Sequence, residues 1–357
     1  MTSRVSQDID LRHGFVRSLE ERREPGAAEV YERVQEMLGR AESWNGAIRL
    51  ERLKQAVYRV RVGDGSGRAL VLKRHPPAIA QIDRLVAERW LPVLGFADRC
   101  PPLLAAAAER EGRWVWHVYE DLGHDNLAAQ RLPWRLEAAV DFIAELHTCA
   151  AGHPLVPEIR CRARDHGVPF FLSNFRDAIG ALEALADFSH DAPPEFPAAR
   201  TRLLDCLQTL LEDAPRRVRL MEEHGGPDTL LHGDLWPKNI FVSMNATAPH
   251  PRLIDWDHVG AGPFSYDVST LLYQSSPGER PWMLRRYREA VERSGWRLPT
   301  DAELNLLFHT AEAARYAHCI LFDAMAVLND RAGWGYRELM EYERWLDALR
   351  PPLPGES

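Results

Sequence analysis

The stretch 230–242 reads LLHGDLWPKNIFV. Two apolar residues lead into His232, Gly233 and Asp234, and Leu235, Trp236, Pro237 and Lys238 separate these from Asn239 and a second apolar run. Gly, Asp, Pro and Asn all favour turns, so a tight loop between two short strands is one explanation. A metal-dependent active site is the other. The choice rests on what the remainder of the chain supplies.

Further on, the run RLIDWDHVGAGPFSYD begins at Arg252. Asp255 closes an apolar strand that contains Leu253 and Ile254, and Asp257 lies two residues beyond it. Two short strands joined in a hairpin would bring Asn239 and Asp255 together. Mg²⁺ takes a few hard oxygen ligands and otherwise keeps water and substrate phosphates. An Asn amide oxygen with an Asp carboxylate suits it. Asp234, five residues before Asn239, would point elsewhere and is suited to accept a proton from an attacking hydroxyl.

The chain has 357 residues, 45% hydrophobic and 27% charged, which is ordinary for a globular protein of two to three modules or one two-lobed enzyme. A net charge of -8 argues against a nucleic-acid partner. The opening MTSRVSQDIDLRHGFVRSLEERREPG has no apolar core and reads as no signal peptide. No apolar run approaches the roughly 18 residues that span a bilayer, so no membrane partner is expected. Five scattered cysteines, Cys100, Cys149, Cys161, Cys206 and Cys319, never spaced as CxxC, point to reduced thiols and a cytoplasmic location. Of 44 basic residues only Lys54, Lys73 and Lys238 are lysine. In so arginine-biased a chain, each surviving lysine is a candidate for work that a guanidinium cannot do.

Along the chain, 27–39 has amphipathic helical spacing. Strand-like runs follow at 48–62 and 69–73, with Gly63-Asp64-Gly65-Ser66-Gly67 as a hairpin turn between them. A helix is expected over 79–94, then strands over 103–109 and 113–120. This is an α+β pattern of antiparallel strands with one inserted helix. Beyond Asp121-Leu122-Gly123 helices dominate: 132–149, roughly 173–187, 196–224, 263–275, 281–294, and 301 to about 349 in pieces. Short strands fall near 229–231, 240–243 and 252–256. The simplest architecture is two lobes, 1–121 and 122–357.

The pattern H-G-D-x-x-x-x-N followed by I-D-W-D resembles the aminoglycoside phosphotransferase and choline kinase group, small-molecule kinases with a protein-kinase-like fold. The resemblance covers roughly 45–275. Lys73 in ALVLK stands where the family's nucleotide-phosphate lysine belongs, and Glu88 in RLVAERW where its helix partner would be. VYEDLG resembles the linker whose backbone binds adenine, and AELHTC the helix end before the catalytic segment. The segment from Pro263 to Leu272, with Tyr266-Asp267, resembles the helix after the metal aspartate. Three departures stand out. The first hairpin, LKQAVYRV, has no glycine where many relatives carry a Gly- or Ser-bearing loop over the phosphates. Asp-Trp-Asp replaces the Asp-Phe-Gly of protein kinases, and His-Gly-Asp replaces their His-Arg-Asp, which favours a small-molecule acceptor.

The resemblance implies an ATP- or GTP-dependent, Mg²⁺-dependent phosphotransferase acting on a hydroxyl of a small molecule. Lys73 would hold the phosphates, steadied by Glu88, and the backbone of Tyr119, Glu120, Asp121 and Leu122 would hold the purine. Asn239 and Asp255 would bind the metal and Asp234 would act as base. His232 and Asp267 would brace the loop, with Asp257 in support. An antibiotic such as an aminoglycoside is one acceptor class; choline, a sugar or an amino alcohol is the alternative. A protein kinase, a catalytically silent nucleotide-binding protein and a metal-dependent hydrolase are the rival readings. The helical tail, with carboxylates such as Glu312, would contact the acceptor.

Overall fold

The computed structural model describes residues 15–39, 48–62 and 69–353, and the chain divides by its contacts into two compact units. One comprises Met1–Arg131 with Lys238–Asp257; the other comprises Leu132–Pro237 with His258–Ser357. The expected Gly63–Gly67 turn lies outside the described residues.

The first unit is built on a five-stranded antiparallel sheet of order β1-β2-β3-β5-β4: β1 (Ile48–Lys54), β2 (Val57–Val62), β3 (Ala69–His75), β4 (Leu103–Ala108) and β5 (Val115–Glu120). The run 48–62, expected as one strand, folds back on itself at Gln55-Ala56. Ala56 takes φ 57°, a left-handed conformation that turns the chain within two residues. Side chains alternate across each strand. Tyr58, Val60, Leu70, Leu72, Trp116 and Val118 are buried in a core completed by Val30, Tyr31 and Val34 of the helix Ala27–Gly39. Each such large apolar side chain contributes about 1.5–3 kcal/mol by leaving water. The intervening residues Val57, Arg59, Val71, Lys73 and Tyr119 face the other way and line a cavity.

The helix expected over 79–94 begins at Pro77 and widens into a π turn, Val86–Trp90, before ending at Val93. A second antiparallel hairpin, Ile240–Met244 with Pro249–Leu253, belongs to the same unit. The latter strand runs earlier than the 252–256 expected, because Asp255 itself leaves the extended conformation at φ 69°.

The second unit is mainly helical. Helices Val168–Ala184, Phe196–Glu212, Asp301–Asp330 and Trp334–Ala348 bury Phe171, Phe175, Leu203, Leu207, Ile320 and Leu339 in one core. The 30-residue helix opens with a capping box, Thr300 and Glu303 each bonding the other's backbone N–H, and ends where Arg331 turns left-handed. The expected 196–224 helix is two, broken at Asp213. A small sheet pairs Gly260–Gly262 with Thr229–Leu231 on one side and with Arg164–Asp165 on the other. No helix among the described residues is long and apolar enough to cross a membrane. All five cysteines are free thiols.

Candidate active site

Ladder register decides what the Ile240–Leu253 hairpin brings together. Ile240 lies opposite Leu253, and the Ile254 N–H donates to the Asn239 carbonyl at 3.0 Å. Asn239, 97% buried, and Asp255 therefore flank the same end of the hairpin, and both line the cavity. The positive φ of Asp255 is uncommon for a residue with a Cβ and is the kind of backbone strain that concentrates at functional sites.

The cavity measures about 370 Å³, within the range of small-molecule sites. Its walls are apolar at Val57, Val71, Val86, Phe241 and Ile254. Tyr119, Glu120, Asp121 and Leu122 form one edge. The Asp121 carboxylate is held by the buried Arg59 guanidinium, accepting at 2.6 and 3.1 Å, and also accepts the Gly123 N–H. That clamp fixes the segment's backbone. Lys54, Lys73 and Lys238, which are every lysine in the chain, all line this cavity.

Lys73 pairs with Asp255 Oδ1 and, at 2.7 Å, with Asp257 Oδ1; Lys54 Nζ lies 2.7 Å from Asp255 Oδ2. Burial works against the charge of Lys73, but the two carboxylates outweigh it and hold the ammonium above its ordinary pKa. Burial likewise opposes ionisation of Asp255, and Lys73 and Lys54 overcome it, pushing this carboxyl well below the usual range. Asp257 moves the opposite way: burial and the neighbouring Asp255 charge raise it against the pull of Lys73.

Glu88 does not join this cluster. It is exposed and pairs with Arg84 one turn back, at 2.7 Å. The helix presents Asp83, Val86 and Ala87 to the cavity, at i, i+3 and i+4, and Glu88 falls outside that stripe. The inward carboxylate is Asp83, which sequence reading missed. It accepts from His117 Nδ1 at 2.9 Å and from the Tyr119 hydroxyl. Burial would raise its pKa, yet these two hydrogen bonds hold it below the ordinary value.

In the second unit, the His232-Gly233-Asp234 segment is held from both sides. Asp267, wholly buried, accepts the backbone N–H of His232 at 2.7 Å and of Gly233 at 2.9 Å. His147, buried and bonded to the Tyr287 hydroxyl, lies 3.5 Å from the same carboxylate. Burial disfavours the Asp267 charge, but His147, His232 and the Gly233 N–H keep its pKa low. The Asp234 N–H donates to His232 Nδ1 at 3.3 Å. Gly233 has φ 82°, and a Cβ there would lie 1.8 Å from the His258 carbonyl oxygen, so only glycine fits. Arg315 completes the clamp, donating to the Gly233 carbonyl at 2.6 Å and the Tyr266 carbonyl at 2.8 Å. Glu312, expected near the acceptor, is buried and accepts from Ser269, Thr270 and Arg315. It is part of the scaffold.

Hard oxygen donors from Asn239, Asp255 and Asp257 fit Mg²⁺ and offer no soft ligand. The two ammonium groups gathered on Asp255 show that this carboxylate collects positive charge. An apolar cleft with lysines at its polar end likewise fits a nucleotide.

The model of the phosphotransferase enzyme family matches residues 52–304. No curated sequence matches the chain. Among solved structures, an aminoglycoside 2′-phosphotransferase in its GDP complex aligns with a TM-score of 0.58 at 16% identity, over 90% of this chain and 97% of the other. Spectinomycin phosphotransferase with ADP and spectinomycin aligns at 0.56 and 11%, over 90% and 95%. The ethanolamine kinase of Plasmodium vivax aligns at 0.53 and 12%, over 85% and 82%. The chain belongs to the phosphotransferase enzyme family, and its α+β sheet unit and helical unit are those of the protein-kinase-like fold. It is a small-molecule kinase.

Proposed function

We propose that the chain transfers the terminal phosphoryl group of ATP or GTP, with Mg²⁺, to a hydroxyl of an amine-bearing small molecule. The observation that carries this is the meeting of Lys73 with Asp255 and Asp257 in a cavity edged by 119–122. Lys73 serves as the phosphate-holding cation and the fixed 119–122 backbone receives the purine. Asn239 and Asp255 are the metal ligands, and Asp257 sets the charge around them. A metal ion held by these residues would neutralise charge on the phosphates. Asp234 orients the acceptor hydroxyl and takes its proton. His232, Asp267 and Arg315 hold the loop that carries Asp234. Phosphoryl transfer asks little covalent chemistry of a protein, so alignment and charge supply most of the rate.

The division of labour follows the same lines. Residues to about 121, with the catalytic segment, serve the nucleotide; the helices after 263, with 160–225, serve the acceptor. The similar structures carry spectinomycin in one case and an ethanolamine kinase's identity in another. Both acceptors are hydroxylated amines, which supports an antibiotic of aminoglycoside type first and an amino alcohol of primary metabolism second. A screen with ATP or GTP, Mg²⁺ and a panel holding spectinomycin, streptomycin, choline and ethanolamine tests the reading. A phosphorylated product supports it. Release of inorganic phosphate from phosphate esters without transfer, as a hydrolase would give, defeats it.

A further inference from the structure

The tip of the β1–β2 hairpin contains no glycine, yet it points a side chain at the metal aspartate. Strand pairing slips between Arg52 and Lys54, and the chain then turns through Gln55 and the left-handed Ala56. A slip of this kind re-aims the side chain beside it. Here it sends Lys54 to Asp255, 201 residues away, where Nζ lies 2.7 Å from Oδ2 while Lys73 holds Oδ1. Two strands thus each deliver an ammonium to one carboxylate.

Stability does not account for the Lys54 contact. Its side chain is 58% exposed, against 13% for Lys73, and exposed ion pairs contribute little. Coding preference does not account for it either, since arginine supplies nearly all other positive charge. A lysine ammonium is a compact, flexible point charge of the kind that holds phosphate oxygens.

We propose that Lys54 is a second phosphate-holding residue: the hairpin that lacks a glycine backbone to cover the phosphates supplies an ammonium to them instead. Asp255 keeps that ammonium in the cavity, beside Lys73. The inference rests on the nucleotide reading above.

Calorimetric titration of the full chain separates the two. Wild type, Lys54→Met and Lys54→Arg are each titrated, with Mg²⁺, against adenosine, ADP and ATP, and against the guanine series. Loss of a charge contact to phosphate predicts about a tenfold rise in Kd for the di- and triphosphate in Lys54→Met, with nucleoside affinity unchanged. Lys54→Arg should recover most of the loss. If Lys54 only balances the charge of Asp255, nucleoside and nucleotide affinities move together, and the proposal fails. It fails equally if Lys54→Met binds ADP and ATP as wild type does. Wild type that binds neither series overturns the nucleotide reading itself. Because Lys54 is exposed, the variants should fold, and an unaltered melting temperature checks this.

Discussion

Arg315 reaches the backbone oxygen of Gly233 across 82 residues of chain and donates to it at 2.6 Å, with its guanidinium centred 4.0 Å over the Tyr266 ring. On the other side of the same turn, Asp267 takes the two N–H groups. Arg315→Met removes a largely buried cation from beside Glu312 and takes one donor from each of the Gly233 and Tyr266 carbonyls, the latter still bonded by Ser269 and Thr270. Breaking a buried pair in this way costs about 3–5 kcal/mol, which urea unfolding should read as a lower midpoint. A midpoint equal to wild type would show that the clamp is not structural.

Asp234 sits on that braced turn. Asp234→Asn keeps the size and loses the base, so kcat should fall by about 10²-fold or more. Nucleotide Kd, measured by calorimetry, should stay put. Turnover near the wild-type rate removes Asp234 from the proposed role.

Asp255 is held ionised by Lys73 and Lys54. Asp255→Ala should abolish turnover and make ADP binding indifferent to Mg²⁺, while wild type should lose affinity when EDTA is added. Superimposable titrations for variant and wild type in Mg²⁺ would count against metal ligation.

The helix Pro77–Leu85 and its π turn offer two acids with opposite surroundings. Glu88→Gln breaks one exposed pair with Arg84 and should change stability by less than about 0.5 kcal/mol, with unaltered nucleotide Kd. Asp83→Ala removes the acceptor shared by the buried His117 and the half-buried Tyr119, which then have only each other, and should cost about 1–3 kcal/mol. Equal effects from the two variants would contradict the inward orientation of Asp83.

Three histidines are held neutral: burial pushes the buried His75 and His166 down to about 3, and partial burial pushes His309 down to about 4. Each binds a proton near 6.5 when unfolded, so between those values the unfolded chain holds more protons. Stability is therefore greatest above pH 6.5 and falls as pH drops from 6.5 toward 4. Each histidine contributes up to about 1.4 kcal/mol per pH unit. Urea midpoints should fall from pH 7 to pH 5, and His309→Gln should flatten that slope by one proton's worth. A slope unchanged in the variant would mean His309 is protonated in the fold.

The placement of Asn239 and Asp255 was legible because its information is local. Asn239 and Asp255 each end a short apolar strand, and a hairpin between such strands has few registers, so their proximity followed from spacing. Lys73 was legible for a similar reason: alternation along ALVLK buries Leu70 and Leu72 and turns Lys73 to the opposite face. Helical spacing alone, however, allowed either Asp83 or Glu88 to face inward. Only the packing of the helix against β3 and β5 selected Asp83, by giving it His117 and Tyr119. The break of 48–62 into two strands carried no local turn signal, because Gln55-Ala56 lacks the glycine or asparagine that marks a tight turn; only the family resemblance placed a hairpin at LKQAVYRV. Arg315 left no trace in the sequence, and Lys54 left only its rarity as one of three lysines. Each acts on a partner 82 or 201 residues away, through a backbone oxygen or a carboxylate. Contacts at such separations impose no periodicity on the neighbouring residues. The amino-acid order thus determined the chemistry available and the faces of its strands, and the tertiary structure decided which charges meet, because that depends on how distant elements pack.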